Sequence, residues 1–99
     1  MSQYENMAIG IFELDSYLSC FVALDAAAKA ANVKIQGVER NRLKSGACVK
    51  MRGYISDVNA AMDAALEAAK ENGADIYSHT VIAQPLPDVE PGIEMTINK

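Results

Sequence analysis

The chain has 99 residues, 51% of them apolar and 22% charged, with a net charge of -4 and a pI near 4.8. This is the composition of one globular domain with a radius of gyration of roughly 13 Å, and it excludes a disordered chain and a basic nucleic-acid footprint spread over the surface. No run approaches the ~20 apolar residues of a membrane helix, and the opening MSQYENM carries neither a basic region nor an apolar targeting core, so no membrane partner and a cytosolic protein are expected. Alanine supplies much of the apolar share. Small side chains let helices pack closely but bury little area each, so the domain is expected to lean on subunit contacts for stability.

Met7 to Leu14, MAIGIFEL, is apolar on both faces, with Ile9 and Ile11 on one and Phe12 and Leu14 on the other, which predicts an interior strand. Asp15 and Ser16 offer N-cap oxygens to a helix in which Tyr17, Phe21, Leu24, Ala28 and Ala31 recur at helical spacing. Asn32, which tolerates a left-handed backbone, is the expected terminator.

Val33 to Tyr54 reads as two strands joined by a charged loop. An isolated hairpin is marginal in water, so its apolar face must pack on the flanking helices. Ser56 or Asp57 is expected to cap a second helix, where Val58, Ala61, Met62, Ala65, Leu66 and Ala69 form the cleanest amphipathic stripe of the chain. Lys70 in its last turn and Gly73 after it supply the stop. Ala74 to Ala83 predicts a fourth strand, ended by the prolines of QPLPDVEPG. The closing IEMTINK reads as a short added strand or a loose tail. The order βαββαβ implies an α+β two-layer sandwich, an antiparallel sheet with two helices on one face.

Catalytic chemistry finds little to work with. His79 is the only histidine, and it lies in a predicted strand beside Ser78 and Thr80, where a structural or surface role outweighs that of a general base. Asp57, Asp63, Glu67 and Glu71 suit the solvated side of the second helix. Glu13 and Asp15 stand two apart without further metal ligands in view, and no nucleotide-binding, hydrolase or zinc-protease pattern occurs. No catalytic residue, metal or cofactor is therefore assigned. Arg52, Gly53 and Tyr54 resemble the start of an RNA-binding strand motif, but the aromatics that should follow are absent, so no nucleic-acid partner is expected. Cys20 and Cys48 fall on a predicted helix and a predicted strand without a CxxC, and they read as buried free thiols ahead of a disulfide or metal site.

The strongest local oddity is the loop Arg40, Asn41, Arg42, Leu43, Lys44, Ser45, Gly46. Its three cations repel one another, so it is either a solubilising turn or a surface turned toward an anion. A small-molecule-binding regulatory module with the same element order, gripping an anionic effector with this loop, is the alternative reading from the residues alone.

Several stretches together resemble bacterial microcompartment shell proteins of the single-domain, hexamer-forming kind (BMC-H). MAIGIFELDS resembles the family's first strand, DAAAKAANVKIQGVE its helix end and second strand, VKMRGYISDVNAAMDAALEAA its third strand and second helix, and VIAQPLPDVE its closing segment. The resemblance implies a shell domain over residues 1–90 with a C-terminal tail over 91–99. It also implies a non-enzymatic structural protein that forms flat homo-hexamers and tiles with other shell proteins around encapsulated enzymes, in a microcompartment of the cytoplasm. The loop from Arg40 to Gly46 would line a central pore for small metabolites, Lys29 matches the family's hexamer-edge lysine, and Asn32 lies nearby. Two departures stand out: the pore loop RNRLKSG is longer and far more basic than the usual Gly-Ser-Gly turn, and Gln84 replaces the arginine of the closing segment, changing one partner at the edge.

Overall fold

The computed structural model describes residues 4–40 and 46–97. Strands β1 (Ala8–Leu14), β2 (Lys34–Arg40), β3 (Ala47–Gly53) and β4 (Ile76–Ile82) form one antiparallel sheet in the order β2-β3-β1-β4. Helices α1 (Tyr17–Ala30) and α2 (Ile55–Glu71) share one face of it. The expected α+β sandwich is therefore the observed one, with a Cα radius of gyration of 12.6 Å and extents of 38 × 28 × 16 Å.

Strand alternation decides what each face of the sheet carries. Phe12 pairs with Val49, Leu14 with Ala47 and Gly10 with Met51, and these rungs face the helices. Cys20, Ala23 and Ala27 of α1 and Ala61, Met62, Ala65 and Ala69 of α2 complete that core. The α2 stripe is the one its spacing predicts, with Leu66 only partly buried. In α1 the outcome is mixed: Leu24 and Ala31 pack partly buried against the core as expected, but Tyr17, Phe21 and Ala28 are exposed, and the buried side is Ser19, Cys20, Ala23 and Ala27. Size explains the difference, because α1 lies close to both the sheet and α2, and only small side chains fit fully between them.

The helix ends also depart from expectation. Ser16 caps α1 as predicted, its Oγ accepting from the Ser19 N–H at 3.0 Å, but the C-cap is Ala31 in an extended conformation and not a left-handed Asn32. Helix α2 starts at Ile55, directly after the strand turn, with Tyr54 as N-cap and no side-chain capping bond. Asp57 falls instead within the first turn, where a carboxylate favours the helix dipole. Gly73, at φ +78°, closes α2 as expected.

The segment expected as an added strand or loose tail is helical. After a 3-10 turn at Pro87–Val89, α3 (Glu90–Ile97) lies against the sheet face opposite α1 and α2. Pro87 at the start of the turn and Glu90 at the start of the helix suit helix entry. Its apolar contribution is small: Ile93 is buried and Ile97 lies over Gly37.

Charge does the rest of the fastening on that face. Arg52 is fully buried, and its guanidinium donates to both Glu90 carboxylate oxygens at 2.9 and 2.6 Å, to Gln36 Oε1 at 3.3 Å and to the Met7 carbonyl at 3.3 Å, with the Tyr4 ring 5.0 Å away. Lys50 pairs with Glu39 at 2.7 Å, and Thr96 Oγ1 of α3 lies 3.2 Å from the same Glu39 oxygen. Removing one member of a buried pair strands the other charge away from water, at about 3–5 kcal/mol.

Both cysteines are free. Cys20 is buried, its thiol 3.4 Å from the Ala47 carbonyl, and Cys48 is half-buried on the other face near Lys50. Burial pushes the Cys20 thiol from 9.0 up to about 11 and raises that of Cys48 as well.

Two outcomes follow from these contacts. Glu90→Ala should lower the unfolding free energy in urea by about 3–5 kcal/mol, and a loss within error of zero would show that α3 is not fastened through Arg52. The folded chain keeps the Cys20 proton that the unfolded chain releases, so that share of stability is intact below pH 9.0 and drains away as pH rises through about 11. Urea titrations across this range should show a fall that Cys20→Ala flattens, and an equal slope in both proteins would contradict it.

Candidate functional site

The register places the two groups of candidate residues at opposite ends of the sheet. Lys34, Arg52, Ile9 and Ile82 form one terminal rung, and Arg40, Ala47, Leu14 and Ile76 form the other. Seven-residue strands separate these rungs by about 20 Å. The basic loop springs from the Arg40 rung, whereas α1 ends, Asn32 follows and Gln84 departs from β4 beside the Lys34 rung.

At the loop end, Asn41, Arg42, Leu43, Lys44 and Ser45 lie outside the described residues. The two roots are well placed. Arg40 is exposed at the end of β2, and Gly46 is buried where a Cβ would stand 1.9 Å from the Leu14 carbonyl oxygen. Only a residue without a side chain fits there, so the loop re-enters the sheet at a sterically fixed point.

At the other end, Lys29 is 75% exposed and its ammonium sits 2.7 Å from Asp25, one turn earlier on α1. Exposed pairs of this kind are worth about 0.3–0.5 kcal/mol, so Lys29 is free to exchange Asp25 for an outside acceptor. Asn32 is exposed, with its backbone N–H donating to Asp57 Oδ1 at 3.4 Å. Gln84 is exposed at a cleft of about 430 Å³ that Glu5, Glu90, Glu94 and the prolines of the 85–91 segment also line.

Sequence reading missed both this cleft and the charged layer behind it. Arg52 and Glu90 lie 38 positions apart, and nothing in their spacing announces that they meet. The hint available was indirect: Lys50 and Arg52 alternate with Val49 and Met51, so a buried β3 had to turn two cations toward some partner.

The polar candidates named from the sequence lie apart from one another. His79 is exposed on β4, opposite Phe12, and Asp63, Glu67 and Glu71 are exposed on α2. Among the described residues no group of three or more His, Cys, Asp or Glu is placed to hold a metal ion, and no described helix is long and apolar enough to cross a membrane. What the described surface offers is a thin slab with the roots of the loop, Arg40 and Gly46, at one end and exchangeable polar contacts at the other.

Comparison with known proteins gives the family. The chain belongs to the BMC domain family, whose model matches residues 8–85. It is 36% identical over 86 residues to the carboxysome shell protein CcmK2 of Synechococcus elongatus, covering 85% of this chain and 82% of that one. It is 34% identical over 96 residues to the carboxysome shell protein CsoS1A of Hydrogenovibrio crunogenus, covering 96% and 97%. The crystal structure of a microcompartments protein from Desulfitobacterium hafniense superposes with a TM-score of 0.78 at 25% identity, over 92% of this chain and 49% of that one, so this chain spans about half of that protein. The protein is thus a bacterial microcompartment shell protein with a structural role, not an enzyme. Helix α3 begins beyond the matched residues.

The Gly46 root can be tested directly. Gly46→Ala should cost about 3 kcal/mol, the upper end for overpacking, because the obstructing atom is backbone. Thermal unfolding measures this, and an unchanged midpoint would show that the root is not fixed by Leu14.

Proposed function

We propose that the protein is the repeating unit of a cyclic hexamer within the shell, with the loop from Arg40 to Gly46 bordering a central opening and Lys29, Asn32 and Gln84 on the outer rim. One observation carries the reading: the loop roots and the rim residues leave opposite ends of a single sheet, about 20 Å apart. A slab 16 Å thick suits a flat tile, and head-to-tail contacts that close make a ring. Other shell proteins meet the rim, and the encapsulated enzymes lie on one side of the layer.

The loop sets what passes. In a ring the copies of Arg40, Arg42 and Lys44 surround one axis, and their summed potential concentrates small anionic metabolites at the opening. Mutual repulsion is the cost, relieved by bound counter-ions. Salt weakens both effects, since the Debye length at physiological ionic strength is about 8 Å.

Native mass measurement should show hexamers, and a chain that stays monomeric at high concentration would remove the reading. Neutralising Arg40, Arg42 and Lys44 together should lower the ratio of anion to cation conductance through reconstituted hexamers by about tenfold without unfolding the protein. An unchanged ratio would deny the loop that role.

A further inference from the structure

The basic loop leaves the sheet at Arg40, and strand alternation already directs that side chain. Val38 packs against the helix-side core, so Arg40, two residues on, faces the same layer, whereas Glu39 between them turns to the opposite face and pairs with Lys50. Tyr17, the first residue of α1, receives it: Arg40 Cζ stands 5.9 Å from the centre of the Tyr17 ring. One turn further on, Phe21 stacks on Tyr17 with centroids 5.8 Å apart and planes inclined by 22°. The chain has only two Phe and four Tyr, and this pair stands outside the core, with Tyr17 37% and Phe21 51% exposed.

We infer that Tyr17, backed by Phe21, is the seat of the loop's first cation, and that Arg40 is a positioning residue which, held on α1, sets how the loop leaves the sheet. The inference rests on the ring reading and deepens it: the seat fixes one root of the loop that borders the opening. A guanidinium suits such a seat because it is planar and weakly hydrated, so it lies on an aromatic face at little cost in solvation, whereas a lysine ammonium stays in water. The contact is modest while exposed and strengthens when water is excluded, so a neighbouring copy packed over the Tyr17–Phe21 pair would tighten the loop root. With Gly46 fixed against the Leu14 carbonyl at the other root, both ends of the loop are then held.

A double-mutant cycle on the full-length assembled protein tests the seat. Tyr17→Leu, Arg40→Gln and the double variant are unfolded in urea, with Tyr17→Phe and Arg40→Lys as companions. The double variant is expected to lose less stability than the two single losses added together, Tyr17→Phe to keep that coupling and Arg40→Lys to weaken it. Strictly additive losses overturn the seat. In conductance through reconstituted hexamers, Tyr17→Leu is expected to lower the anion preference by about twofold although it removes no charge. A preference equal to the wild type's would show that the seat does not position the loop. Wild-type hexamers without any anion preference would overturn the pore reading alone, and the cycle would still decide the seat.

Discussion

Alanine sets the geometry of this protein. Ala23 and Ala27 on α1 and Ala61, Ala65 and Ala69 on α2 are fully buried, and they bring both helices close to the sheet and to each other. A slab only 16 Å deep along its short axis is one consequence. Another is that most of the larger side chains of α1 stay outside: Tyr17, Leu18, Phe21 and Val22 are left at the surface, and Leu24 is only partly buried. A core of small side chains gains little from each one, so such a protomer draws stability from elsewhere.

The opposite face of the sheet is built on a different principle. There β3 turns Lys50 and Arg52 out of water, and each must meet an acid. Glu39 lies across the hairpin from Lys50, but Glu90 reaches Arg52 only because α3 folds back over the sheet. The short helix adds little apolar burial and is held by its charges, so its placement is specific without being adhesive. A pair of this kind contributes register more than net stability, since a well-packed apolar replacement often does as well.

These layers leave the remaining polar groups at the two ends of the sheet. The strands run from the loop roots at Arg40 and Gly46 to the end where Asn32 and Gln84 lie, so a single sheet holds both sets of residues apart. Lys29 holds Asp25 only weakly, and Gln84 opens onto a cleft, so this end of the sheet carries polar groups that can exchange partners. The aromatic pair at the start of α1 stands beside Arg40, at the root of the basic loop.

Local signals in the chain determined much of this. Alternation in MAIGIFEL put Ile9 and Phe12 on opposite faces, the stripe from Val58 to Ala69 marked the buried side of α2, and Gly73 marked its end. Those features arise from residues within one or two turns of each other, so they are written in spacing. The buried side of α1, the helical form of the last segment and the Arg52–Glu90 pair were settled only by tertiary packing. In α1 the large apolar residues made the stronger sequence signal, but the space between sheet and α2 admitted the small ones. Residues 90–97 carry too weak a pattern to choose a structure, and the place where their helix lies is set by a buried guanidinium far along the chain that takes the carboxylate of Glu90.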